Sequence, residues 1–313
     1  MKPTLCIITP CYNEQEILLL TSKFLSESIN QLIENEKISS KSYICFIDDG
    51  STDRTWSIIN EICANNSQLK GVKLSNNFGH QNALLAGMFS QKENSDCIIT
   101  IDADLQDDVN VIEKMVDKYL EGNKIVYAVR DNRDSDSFWK RNSAQLYYKF
   151  MKVLGVKTIY NHADFRLIDQ QVITSLAKYK EINIFLRGIF PLMGFKHDVV
   201  YYNRKSREFG ETKYTLHKML SFAWQGITSF NTSFLRLVTY IGIFMFFISM
   251  ITTIWVIYAY IQDETVAGWA SLLLIISLFS GINMICLGII GEYVGKIFFE
   301  VKQRPRFIIE QEI

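Results

Sequence analysis

The 313 residues hold no C-x-x-C pair, no glycine-rich G-x-G-x-x-G turn and no P-loop pattern G-x-x-x-x-G-K-[ST]. Without paired cysteines, neither a disulfide framework nor a zinc site follows from Cys6, Cys11, Cys45, Cys63, Cys97 and Cys286, and a reducing compartment is expected. Without a glycine cradle, the chain is a poor dinucleotide-binding oxidoreductase or P-loop enzyme, so phosphates must be held by metal and arginine. His80, His162, His197 and His217 stand apart with no metal-ligand spacing. Excess charge is missing too: 33 Lys and Arg face 33 Asp and Glu. That balance argues against a general nucleic-acid binder. There is no internal repeat and no low-complexity stretch. Leu5–Thr9 is too short an apolar run for a signal peptide, and Glu14 and Glu16 follow soon after. An apolar content of 48% with 21% charged residues excludes bulk disorder, and the length suits one large domain or two modest ones.

What the chain does have is two long stretches without charge. Leu237–Ile261 carries none for 25 positions and Thr265–Gly291 none for 27. At about 1.5 Å per residue each helix would reach across a hydrocarbon core of about 30 Å. Only Gln262, Asp263 and Glu264 separate them. The expectation is a transmembrane hairpin, spanning at 235–262 and 265–291. Lys213, Lys218 and Arg236 precede it and Lys296, Lys302, Arg304 and Arg306 follow it, while the turn carries two acids and no base. The positive-inside rule then puts both chain ends in the cytoplasm of a cell with the hairpin in its inner membrane. Residues 1–210 become a cytoplasmic domain and 292–313 a cytoplasmic tail. The sequons at Asn65 and Asn231 fall on the wrong side for use. Between domain and hairpin, at 211–234, Leu216, Met219, Leu220, Ala223, Trp224, Ile227 and Phe230 recur at three- and four-residue intervals. They make an amphipathic helix suited to the headgroup region, or to packing on the soluble domain.

In the first 210 residues, apolar runs alternate with helical patterns. Leu5–Thr9, Tyr43–Ile47, Val72–Leu74, Cys97–Ile101 and Ile125–Val129 read as strands. Glu14–Glu34, Thr52–Ala64, Gln81–Gln91 and Asn110–Glu121 read as helices. That alternation predicts an α/β domain with a mainly parallel sheet, which binds ligands beyond the carboxyl ends of its strands. The polar residues gather there: Pro10-Cys11-Tyr12-Asn13-Glu14, then Asp48-Asp49-Gly50-Ser51 with Asp53, then Asp102-Ala103-Asp104-Leu105-Gln106, then Arg130. If the third run is extended, Asp102, Asp104 and Gln106 point the same way and offer oxygen to one cation, Mg²⁺ or Mn²⁺. Ser51, Thr52 and Asp53 have an equally good reading as helix caps.

The set PCYNE (Pro10–Glu14), DDGSTD (Asp48–Asp53), NFGHQNALLAGM (Asn77–Met88), DADLQD (Asp102–Asp107), DFRL (Asp164–Leu167) and IGEYVGKIFFEVKQRPRF (Ile290–Phe307) resembles the family 2 glycosyltransferases. It is most similar to their polyprenyl-phosphate branch, which includes dolichol-phosphate mannose synthases and bactoprenol glucosyltransferases. Val109 and Ala163 depart from the family pattern, beside the chemistry. The resemblance implies a Rossmann-like GT-A domain that binds a UDP-sugar. Pro10, Tyr12 and Glu14 would line the nucleotide pocket with Asp48 at the base or ribose, and Asp102, Asp104 and Gln106 would hold the metal and diphosphate. It also implies a polyprenyl (undecaprenyl) phosphate acceptor, with Arg130 and Arg141 on its phosphate and Arg207 and Lys213 in a lid. Asp164 would lie in the active site and His80 would shape the pocket. Arg133, Lys140 and Arg166 in the domain, and Arg204 and Lys205 just before the membrane helix, are further candidate cations.

A phosphomonoester is largely dianionic near pH 7 and needs no strong general base, so direct attack on the anomeric carbon would invert it. Glucose is the expected sugar. Other donors stay open: UDP-GlcNAc, UDP-galactose, an aminoarabinose derivative or GDP-mannose. A non-catalytic, membrane-anchored sugar-nucleotide binder would be expected to have lost a D-x-D carboxylate. A flippase would need more than two spans, or a homo-oligomer.

Overall fold

The computed structural model describes residues 2–131, 162–203 apart from 183, and 269–313, with scattered positions from 238 to 262. Eight strands form one sheet: β1 Leu5–Cys11, β2 Tyr43–Asp48, β3 Leu69–Leu74, β4 Cys97–Thr100, β5 Ile125–Arg130, β6 His162–Asp169, β7 His197–Tyr202 and β8 Ile309–Glu312. Their spatial order is β7-β5-β6-β4-β1-β2-β3-β8. β1 is parallel to β2 and β4, β2 to β3, and β5 to β7, whereas β6 runs antiparallel to both of its neighbours and β8 antiparallel to β3. The helices are α1 Leu18–Glu34, α2 Thr55–Asn65, α3 His80–Gln91, α4 Val111–Leu120, α5 Gln170–Leu176, α6 Leu186–Leu192 and α7 Trp269–Lys302.

The near-continuous apolar strands are buried on both faces, as their sequences require. Alternate residues of β1 serve opposite layers: Leu5 and Ile7 pack with α1, α2 and α4 residues such as Leu25, Ile59 and Met115. Cys6 and Ile8 pack with Leu84, Val172 and Phe190 of α3, α5 and α6. The approach of α3 depends on Gly87, where an added Cβ would lie 2.8 Å from Ile8 Cγ2 and 2.9 Å from Ile47 Cγ1.

Three strands escaped sequence reading: β6, β7 and β8. The antiparallel β6 matters most, because its reversed direction brings its first residues to the edge where the parallel strands end. Thr100 pairs with Arg166 and Cys97 with Asp169, so Asp164 stands level with the residues that follow β4.

α7 continues past Gly291 to Lys302. Its stretch Phe279–Lys302 is long and apolar enough to cross a membrane, by length and composition, and Met284, Ile285 and Leu287 are exposed on it. The described positions between 238 and 258 are helical. The amphipathic stretch Tyr214–Phe234 and the turn at Asp263 and Glu264 lie outside the described residues.

Candidate active site

The turns after β1 and β2 are sewn together. Asn13 has a φ of 55°, a left-handed conformation that asparagine tolerates. There its N–H donates to Ser51 Oγ at 3.0 Å and its Oδ1 accepts from Thr52 N–H at 2.9 Å. Glu14 N–H donates to Thr55 Oγ1 at 2.9 Å. Gly50, at φ 67°, lies against the next loop: a Cβ there would sit 2.4 Å from the Asn76 carbonyl carbon. Asp49 accepts from the N–H groups of Phe78 and Gly79 at 2.8 and 3.0 Å, and Asp53 accepts from Thr55 N–H at 2.9 Å. These two acids are turn and cap residues. Asp48 is fully buried; its Oδ1 accepts from Ser51 N–H at 3.4 Å, and its Oδ2 has no partner among the described residues. Burial pushes its carboxyl above the usual range. Tyr12 is exposed, and Pro10 and Glu14 are half-buried, at this same edge.

Beyond β4 the D-x-D run is not the extended segment expected from its alternating oxygens. It turns, with Leu105 at φ 51° and Gln106 N–H donating to Asp104 Oδ1 at 3.2 Å. Thr21 of α1 secures the turn by donating to the Ala103 carbonyl at 2.7 Å. The folded run leaves Asp102 and Asp104 half-buried and the Gln106 side chain buried. Among the described residues, no group of three or more His, Cys, Asp or Glu side chains gathers to hold a metal. Two carboxylates suit Mg²⁺ or Mn²⁺ if substrate phosphates complete the shell, as hard cations at phosphoryl sites commonly require.

His80, at the start of α3, lies between two of these strand ends. Its Nε2 is 3.6 Å from Asp102 Oδ1 and 3.6 Å from Asp164 Oδ2. Asp164 also accepts from Arg187 of α6 in a two-pronged contact, 2.8 Å from Nη2 and 3.2 Å from Nε, and from Arg166 Nη2. Burial alone would raise the Asp164 carboxyl, but Arg187, His80 and Arg166 overcome it and hold the group well below the carboxylate range. Arg166 is itself buried, stacked over the Phe190 ring at 5.0 Å. Its pKa falls through burial, while Asp164 opposes the fall. Burial of Asp102, reinforced by Asp107, Asp164 and Asp104, raises its pKa against the pull of His80. The sequence did not single out Arg187; no motif surrounds it, and only the fold carries α6 to Asp164.

Arg130 ends β5 where β7 ends in Tyr202. Its Nε donates to the Tyr202 hydroxyl at 3.3 Å, and its Nη2 lies 3.6 Å from Asp107 Oδ1. The Tyr202 hydroxyl donates to buried Asp107. Arg130 is thus oriented by the last acid of DADLQD, which the sequence had left without a role. A hollow of about 770 Å³ is lined by α1 and α2 side chains such as Lys23, Ile58 and Glu61, and reaches none of Asp102, Asp104 or Asp164. Arg133, Lys140, Arg141, Arg204, Lys205, Arg207, Lys213 and His217 lie outside the described residues.

Carboxylates, a histidine and arginines thus gather at the carboxyl edge of a Rossmann-like sheet. Residues 6–176 match the family model described as glycosyl transferase family 2. The chain belongs to that family and is a glycosyltransferase of GT-A fold. It is 48% identical over its whole length to the uncharacterized glycosyltransferase YkoT of Bacillus subtilis strain 168, covering 93% of that protein. It is 36% identical to a prophage bactoprenol glucosyl transferase homolog of Escherichia coli K12, over 97% of this chain and 98% of that one. It is likewise 36% identical to the SfII prophage-derived bactoprenol glucosyl transferase of Shigella flexneri, over 97% of each chain.

Proposed function

We propose that this enzyme transfers a hexose, glucose foremost, from a UDP-sugar to a polyprenyl (undecaprenyl) phosphate, inverting the anomeric carbon. One observation carries the reading: the likeness to bactoprenol glucosyl transferases extends over nearly the whole chain, the apolar helix α7 included. The phosphate oxygen of the acceptor forms the new bond to C1 as the bond from C1 to the UDP oxygen breaks, and UDP leaves. Pro10, Tyr12 and Glu14 line the nucleotide site. Asp48, whose Oδ2 has no partner among the described residues, would serve the base or ribose. Asp102 and Asp104, with Gln106 beside them, would hold a divalent ion, Mg²⁺ or Mn²⁺, which neutralises charge on the departing diphosphate. Arg130, oriented by Asp107 and Tyr202, and Arg141 would take the acceptor phosphate, and Arg207 and Lys213 would serve as a lid. Asp164 orients His80 and Arg187 around the sugar.

Topology follows from the same reading. β8 lies in the catalytic sheet, which favours a topology in which both ends of the membrane segment return to one side. If α7 crosses the bilayer once, a second crossing is required, and Leu237–Ile261 is the remaining uncharged run long enough. The base-rich flanks favour the cytoplasm for that side and the inner membrane for the protein. The function is tested by incubating membranes with a panel of radiolabelled nucleotide sugars. Label from UDP-glucose in the lipid phase is the expected result. Label from UDP-GlcNAc, UDP-galactose, an aminoarabinose derivative or GDP-mannose instead would reassign the donor, and no lipid label from any of them would overturn the acceptor.

A further inference from the structure

The end of α7 does not stop at the membrane; it is bolted to the catalytic domain next to the active site. Both carboxylate oxygens of Glu300, in its last turn, accept from the Ile182 N–H at 2.9 Å. Six residues on, Arg306 donates to the Tyr179 carbonyl. Phe307 then packs on Phe89 of α3, with ring centroids 6.4 Å apart. The chain closes as β8, where Gly71 and Ile313 exchange N–H to carbonyl bonds at 3.0 and 2.9 Å and Lys73 pairs with Glu310 at 2.9 Å. Tyr179 and Ile182 belong to the link between α5 and α6. That link leads into Leu186, whose N–H donates to Gln81 of α3 at 3.0 Å, and into Arg187, which grips Asp164. Gln81 is the neighbour of His80.

We infer that Glu300 is a positioning residue: by fixing Ile182 it sets where Arg187 meets Asp164 and His80, so that the membrane helix orients the active site as well as anchoring it. The inference deepens the lipid-acceptor reading and rests on it for the choice of assay. Ile182 is held by α7 and Leu186 by α3, on the approach to Arg187. Released at Ile182, that approach gains freedom, and small misplacements of orienting groups cost rate steeply.

The test compares Glu300→Ala with Glu300→Gln in the full-length, membrane-bound enzyme. Gln keeps an oxygen acceptor for Ile182 and loses the charge; Ala loses both. Expected are a kcat lowered about tenfold or more in Glu300→Ala, a kcat within about twofold of wild type in Glu300→Gln, and UDP affinity held within about twofold in both. Amide exchange at Ile182 and Leu186 should quicken in the Ala variant alone. Wild-type kcat in Glu300→Ala, equal impairment of both variants, loss of UDP affinity in step with kcat, or unchanged exchange would each overturn the assignment. If Glu300→Ala does not accumulate folded, Arg306→Ala, which frees Tyr179, takes its place, and wild-type kcat there overturns it equally. Glu310→Ala, which loosens the far edge of the strap, should leave kcat unchanged. A wild-type enzyme that labels no lipid would count against the acceptor, while the exchange comparison would still decide whether Glu300 holds the link.

Discussion

At the scale of single residues, the site is a balance of buried charge. Asp164 touches His80, Arg166 and Arg187, and its depressed pKa makes it a stabilising group as well as an orienting one. A carboxylate with a folded pKa below its unfolded value, about 3.9, contributes fully above that value and loses its contribution as pH falls through the folded one. Asp164→Asn should therefore lower stability at pH 7 by about 3–5 kcal/mol, because buried Arg166 is left uncompensated. Thermal melts of both proteins from pH 7 to pH 3 should show the gap narrowing only below about pH 4. A gap that stayed constant would mean the charge of Asp164 is not what stabilises. Asp104 differs: it is half-buried, and its Oδ1 accepts one backbone N–H at 3.2 Å. Asp104→Ala should cost about 1 kcal/mol of stability yet abolish transfer, and excess chelator should do the same to the wild type. Full activity in chelator would remove the cation from the account.

At the scale of elements, what was legible in the sequence is what burial writes into it. The five strands with continuous apolar runs and the four helices between them lie where hydrophobic pattern put them, because the strands are buried on both faces and each helix buries one face against the sheet. β6 was missed because HADFRLID carries its site residues and their counter-charges within the strand itself. β7 was missed because it lies at the edge, with Tyr201 exposed beside buried Tyr202. β8 reads as a polar tail, since three of its four residues, Glu310, Gln311 and Glu312, are polar and exposed. The same distinction separates Asp102 and Asp104, found from their motif, from Arg187, which is recognisable only once β6 and α6 are folded together. Close packing gives an element-level prediction. Gly87→Val should destabilise by about 1–3 kcal/mol through the contacts of α3 with Ile8 and Ile47, whereas Gly194→Ala, in open space at φ 70°, should cost only backbone strain. Comparable losses in denaturant titrations of the two would contradict the packing of α3.

At the scale of the whole molecule, a soluble-looking catalytic sheet is closed by the end of a helix suited to a bilayer. A polyprenyl phosphate keeps its head at the interface because burying each methylene stabilises its membrane-bound form by about 0.8 kcal/mol, so the enzyme must come to the lipid. A tag inserted at Asp263–Glu264 should be reachable only from the side opposite a reporter fused after Ile313. A tag on the same side would mean the chain does not cross twice. The central claim, transfer of glucose onto a lipid phosphate, is tested most directly by one measurement. Membranes containing the wild-type protein, or the Asp104→Ala variant, are supplied with undecaprenyl phosphate, divalent cation and UDP-glucose labelled in the sugar. The account predicts lipid-extractable label that rises with added undecaprenyl phosphate in the wild type and stays at background in the variant. Lipid label that is equal in the two, or that ignores the added acceptor, would contradict it.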